Sequence, residues 1–251
     1  MISFNIHHTE SPHFIFHYGE SSYAQANIDA IVNSQELAFL EITELLHTTP
    51  NIKIHCWLCE SDQQLADLAD CPPYNGYAVY EEGTANIYYV YNENIDATGR
   101  HEITHIIADD YNDIQSAALA EGLAVYMDRL WWSIPNELCV KLFLESRKYI
   151  SVDSMIDTFE DLLDDPFYKV NSCYSYPIMG AFVGFLIKIN GIEQFMRLYA
   201  HTKTDWKNEF IRTYGHSLAV LEERFISYVA TLTFPKDQID TAKIRLQSLL
   251  N

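Results

Sequence analysis

The sequence predicts an α+β fold: a small mixed sheet lobe containing one long helix, followed by a mostly helical lobe. Three observations predict it. Short runs of alternating apolar and polar residues fall within the first 91 positions. One uninterrupted helical pattern, residues 21–47, lies among them. From residue 97 onward helical periodicity takes over almost completely. At 251 residues the chain suits one unit of two lobes, residues 1–92 and 93–251.

The elements follow in order. Residues 3–8 and 13–18 alternate as in the two strands of a hairpin, with Ser11-Pro12 at the turn. The helix over 21–47 has Ser21 or Ser22 to cap it and Thr48-Thr49-Pro50 to end it. Its expected buried stripe is Ile28, Ile31, Val32, Leu37, Leu40, Leu45 and Leu46. A strand over 52–58, a short helix over 61–69 and a loop over 71–76 come next. Residues 76–80 and 84–91 read as paired strands around Glu81-Glu82-Gly83. Helices are then expected over 97–109, 115–132, 135–149 and 153–165, the last stopped by Pro166. A loop holding Cys173 and Tyr174 precedes a strongly apolar helix over 177–189, ended by Asn190-Gly191. Four more helices cover 192–200, 205–214, 217–232 and 237–250. No internal repeat is present.

Composition narrows the partners. Hydrophobic residues make up 48% of the chain, enough for a real core. A net charge of −19 makes nucleic acid and anionic membrane surfaces poor partners and favours a cationic peptide or protein. No run of eighteen apolar residues occurs, so no membrane span is expected. The N-terminus has neither a basic start nor an apolar core. The expectation is a cytoplasmic protein, or a secreted one whose leader has been removed. Five cysteines do not suggest a disulfide framework. Cys56 and Cys59 have C-x-x-C spacing, but in a strand residues three apart face opposite sides. His7, His8, His13 and His17 crowd the first two strands. With no carboxylate or cysteine at ligand spacing, they are expected to be exposed strand residues rather than a second metal site.

The chemistry concentrates in His101-Glu102-Ile103-Thr104-His105. Residues four apart share one helical face, so His101 and His105 can grip one metal ion. Glu102 lies about 100° round the helix, within reach of a water on that metal. Ile103, Ile106 and Ile107 cluster about 190° away, so the helix buries its isoleucines and turns its histidines elsewhere. For this composition, roughly 0.03 chance matches to H-E-x-x-H are expected in the chain. Sixteen residues beyond His105, Glu121 sits among Ala117, Ala118, Gly122, Ala124 and Val125. No lysine or arginine lies three or four residues from it, so a metal ion suits it as a partner. His, His and Glu form one of the ligand sets of catalytic zinc.

His101 to His105, with Glu121-Gly-Leu-Ala124, resembles the gluzincin metallopeptidases, and within them the peptidase MA-like families. Tyr176-Pro-Ile-Met-Gly-Ala-Phe-Val-Gly-Phe-Leu186 resembles the Y-x-x-x-G-S-F-V-x-Y-L segment of that family. Residues 210–225 resemble its closing helical run. The likeness covers roughly the last three-fifths of the chain. Two departures bear on function. Val125 stands where the thermolysin branch has an aspartate. The G-x-M-E-N run of the aminopeptidase branch is missing, so exopeptidase action is not implied. What the resemblance implies is an active-site cleft between the lobes, one zinc ion on His101, His105 and Glu121, and Glu102 as general base. It also implies a tyrosine or histidine donor to the oxyanion, for which Tyr176 is the first choice and Tyr174 the reserve. It places the substrate along an edge strand just before the metal helix, expected here at Ala85 to Tyr91. Asp109, two turns beyond Glu102, is a candidate to steady a neighbouring group. The expected activity is zinc-dependent endopeptidase action on a peptide or protein. The alternative is a zincin-like binding or regulatory protein that keeps the metal site without general proteolysis.

Overall fold

The computed structural model describes residues 6–48, 50–81, 83–109, 116–163, 168–200 and 202–249. Residues 3–5 of the expected first strand, Thr49, Glu82 and Pro166 lie outside these. The protein is α+β: a five-stranded mixed sheet near the N-terminus, then helices. It divides into two compact units, Met1–Asp110 and Tyr111–Asn251.

In the first unit, β1 (Ile6–Glu10) and β2 (Phe14–Gly19) form the expected antiparallel hairpin. Helix α1 (Tyr23–Leu46) follows, and the cap is Ser22, whose side chain accepts from the Gln25 amide. His47 closes the helix in the left-handed conformation. Strand β3 (Ile54–Cys59) pairs in parallel with β2. Helix α2 (Asp62–Ala69) is capped by Ser61. Strands β4 (Gly76–Glu81) and β5 (Thr84–Val90) make the second antiparallel pair, and helix α3 (His101–Asp109) completes the unit.

The sheet order is β1-β2-β3-β5-β4. This corrects one expectation. The strand just before the metal helix is not an edge, because β5 pairs in parallel with β3 and antiparallel with β4. Tight hairpin pairing folds β4 outward, and β4 becomes the edge. Alternation decides the two faces of the sheet. Phe14, Phe16, Ile54, Cys56 and Ile87 are wholly buried, and Phe14 meets Phe39 of α1 edge-on at 5.9 Å. On the opposite face Leu65 of α2 packs with Cys59, Tyr88 and Val90. Both cysteines of the C-x-x-C pair are free and buried, and burial pushes the Cys59 thiol up to about 12.

The buried stripe of α1 also differs from expectation. Ile31 and Leu46 are buried, but Leu37 and Leu40 are 56% and 53% exposed. The buried face starts at Ala24, returns two turns later at Ile31 and continues through Gln35, Ala38, Ile42 and Leu46 in the steps of three or four residues that a 3.6-residue turn requires. Leu37 and Leu40 fall off that line despite their apolarity. Geometry outranks residue type here.

The second unit starts with α4 (Ala117–Asp128). A two-strand ribbon, β6 (Leu130–Trp131) and β7 (Ile134–Pro135), ends the expected long helix early. Then come α5 (Asn136–Glu145), α6 (Val152–Leu163), α7 (Tyr168–Asn190), α8 (Ile192–Tyr199), α9 (Thr202–Tyr214), α10 (Leu218–Thr231) and α11 (Lys236–Leu249). The loop expected around Cys173 and Tyr174 is helical, and Pro177 lies inside α7. A proline in a helix interior costs about 3 kcal/mol. Burial of Tyr176, Ile178, Met179, Phe182 and Val183 on both sides of the proline offsets that cost. By length and composition the stretch Ser172–Asn190 is apolar enough to cross a membrane, but 72% of it is buried within the fold, as in a core helix.

Helix α7 packs tightly on α4. A Cβ on Gly122 of α4 would lie 2.8 Å from Val183 Cγ2 and 3.0 Å from the Met179 carbonyl oxygen of α7. A Cβ on Gly180 would lie 2.5 Å from Val125 Cγ1. The small-residue side of α4 is therefore a close-packed surface, not only a clearing around Glu121. Glu222 of α10 holds the start of α6. Its carboxylate accepts from the Val152 amide at 2.6 Å, the Tyr149 hydroxyl at 2.8 Å and the Ser151 hydroxyl at 3.2 Å. A buried anion at a helix N-terminus meets both free amides and the positive end of the dipole.

Candidate metal centre

Helix α3 presents its residues as the periodicity requires. Ile103, Ile106, Ile107 and Ala108 are buried, whereas His101, Glu102 and His105 are partly exposed. The two imidazoles stand side by side, ring centroids 4.9 Å apart and planes at 75°. The first turn is anchored from both ends. The Thr104 hydroxyl donates to the Arg100 carbonyl at 2.7 Å, and the Arg100 guanidinium grips Glu41 of α1 through Nε at 2.8 Å and through Nη2 at 2.6 Å. This forked contact ties the metal-binding helix to the long helix of the same unit.

Helix α4 carries Glu121, which is partly exposed on an otherwise largely buried helix. His101, His105 and Glu121 each offer one ligand atom, and these atoms all lie within 4.8 Å of one another. Among the described residues this is the one group of three or more histidine, cysteine or carboxylate side chains whose donor atoms already stand close enough to hold a metal. Two imidazole nitrogens and a carboxylate oxygen match the donor set of catalytic zinc. Bonds of about 2.0–2.2 Å would draw the donors to about 3.4 Å apart in a tetrahedral site. The chemistry of the donor set fits the ion.

The general-base candidate has a neighbour that the sequence did not reveal. Gly76, the first residue of edge strand β4, lies directly against the Glu102 carboxylate. A Cβ at position 76 would overlap Glu102 Oε1 and sit 3.2 Å from its carboxyl carbon. Nothing in residue type or spacing links positions 76 and 102; the contact arises from packing α3 against β4.

The remaining candidates are placed less tellingly. Tyr176 is 8% exposed, with its ring 5.0 Å from that of Trp131 and 5.8 Å from that of Phe159. These contacts give it a packing role in the second unit. Tyr174 is partly exposed and lies against Phe143 at 4.9 Å. The Asp109 side chain is outside the described residues. Compared with known proteins, the sequence matches no family model and no curated protein.

Proposed function

We propose that this chain is a zinc-dependent metallopeptidase of gluzincin type, acting as an endopeptidase. The observation that carries the reading is the convergence of His101, His105 and Glu121 donor atoms within 4.8 Å, with Glu102 on the same helix as the two histidines. In this reading the three residues hold one zinc ion. Bound there, zinc supplies an acidified water and a polarised scissile carbonyl. Glu102 takes the proton from the attacking water and delivers it to the leaving amine. Tyr176 is the first choice to donate to the developing oxyanion, and Tyr174 the second. The substrate is an extended peptide segment, with cationic ones favoured by the net charge of −19. It adds to the open side of β4, where backbone hydrogen bonds accept any sequence. Gly76 brings that strand against Glu102.

The test is Glu102→Gln, assayed on a mixed peptide library beside the native chain. The proposal expects full zinc content with hydrolysis lost. Undiminished cleavage by the variant would remove Glu102 from the mechanism. Zinc binding by a native chain that cleaves nothing would favour the binding-protein alternative.

A further inference from the structure

The histidines of the first strands do not behave as a uniform exposed set. His13 is committed elsewhere: its amide and Nδ1 both meet the Glu36 carboxylate, at 2.9 and 2.6 Å. His7 stacks on Tyr18 on the other face of the hairpin, at 6.2 Å. His8 and His17, however, are direct cross-strand partners in β1 and β2 and therefore share a face. Strand β3 adds His55 beside them. His17 Nε2 and His55 Nδ1 are 3.0 Å apart. Trp57 fixes the His17 ring by stacking at 4.0 Å, and the indole N–H of Trp57 donates to Asn86 Oδ1 at 3.3 Å. The sequence reading missed this because His55 lies 38 positions beyond His17 and comes beside it only through parallel pairing.

We propose that the His17–His55 pair holds a second transition-metal ion on this face of the sheet, with the exposed His8 side chain swinging in as a third donor when the ion binds. Two ligands at about 2.0–2.1 Å from one ion and 90–109° apart stand about 2.9–3.4 Å from each other. The observed 3.0 Å falls in that interval. The same distance also suits one shared N–H···N bond in the metal-free protein. Binding then requires the donor ring to move its hydrogen to its far nitrogen, a change of tautomer with no net release of protons. Burial, then the neighbouring His55 and His8, hold the His17 imidazolium down to about 4, so its ring is neutral and able to ligate at pH 7. An all-imidazole set suits zinc, copper or nickel and is poor for magnesium or calcium. Water would fill the remaining positions. An ion held there would clip the edge strand β1 to β3.

The site is independent of the peptidase reading, and its test keeps the two apart. The full-length chain is titrated with zinc(II), with histidine ring nitrogens followed by NMR in ¹⁵N-histidine-labelled protein. The expected result is a second equivalent that moves the His17 Nε2 and His55 Nδ1 resonances and persists in His105→Ala. His55→Gln is expected to lose that equivalent, and His8→Gln, at an exposed position that the fold does not depend on, to weaken it several-fold. Titration that leaves the His17 and His55 nitrogens unmoved would overturn the proposal. So would an unchanged second equivalent in both His55→Gln and His8→Gln. Circular dichroism of His55→Gln guards against loss through misfolding, and the His8 variant keeps the test decisive if that chain fails to fold.

Discussion

Replacing Gly122 with alanine sets two effects of opposite sign against each other. Glycine in a helix interior is about 1 kcal/mol worse than alanine, so by propensity alone Gly122→Ala stabilises α4. The packing says otherwise. The new methyl would stand 2.8 Å from Val183 Cγ2, 3.0 Å from the Met179 carbonyl oxygen and 3.2 Å from its carbonyl carbon. Val183 can shift by a few tenths of an ångström, but the Met179 atoms belong to the backbone of α7. Relief therefore requires the two helices to part. Overpacking costs about 1–3 kcal/mol, and a clash that only backbone movement relieves falls in the upper part of that range, about 2–3 kcal/mol. After the propensity gain, a net loss of about 1–2 kcal/mol remains. For a chain of this size that lowers the melting midpoint by about 2–8 °C. The change sits beside Glu121, so parting the helices should also weaken zinc binding. Thermal melts by circular dichroism, with zinc affinity by competition with a chelator, measure both. A variant as stable as the native chain, or more so, would refute the argument that α4 is positioned by close approach to α7.

Two further predictions test other parts of the account. Gly76→Ala should leave zinc content and stability nearly unchanged, because only the flexible end of Glu102 is in the way. Displacing that carboxylate by about 1 Å should lower the rate about 100-fold on any peptide the native chain cleaves, and an unaltered rate would detach Glu102 positioning from Gly76. Glu222→Ala strips an acceptor from the Val152 amide and the Tyr149 and Ser151 hydroxyls, so urea unfolding should show a loss of about 3 kcal/mol; a loss below 1 kcal/mol would mean that those donors find other partners.

What could be read from the sequence was what depends on local periodicity. The shared face of His101 and His105, the burial of Ile103, Ile106 and Ile107, and the Ser22 cap all follow from 3.6 residues per turn and short-range hydrogen bonds. The β1–β2 and β4–β5 pairs were legible for a similar reason, since their turns are short. Facts that depend on distant packing were not legible. The sequence gives no reason for β5 to lie inside the sheet and β4 at its edge, because strand order is a long-range property. Leu37 and Leu40 look like core residues until the phase of α1 is fixed by what it packs on. Pro177 reads as a boundary, yet the apolar residues around it carry the helix through. The contacts of Gly76 with Glu102 and of His17 with His55 each join residues far apart in the chain.

The most direct test of the central claim is the zinc bound to the His101–His105–Glu121 group, measured in the purified native chain, in His105→Ala and in Glu121→Ala. Elemental analysis after dialysis against a weak chelator removes loosely held ions. The account predicts about one tightly held zinc per native chain, retained poorly or not at all by either variant. A native chain that holds no zinc after incubation with the metal, or a Glu121→Ala variant that holds it as tightly as the native chain, would contradict the account.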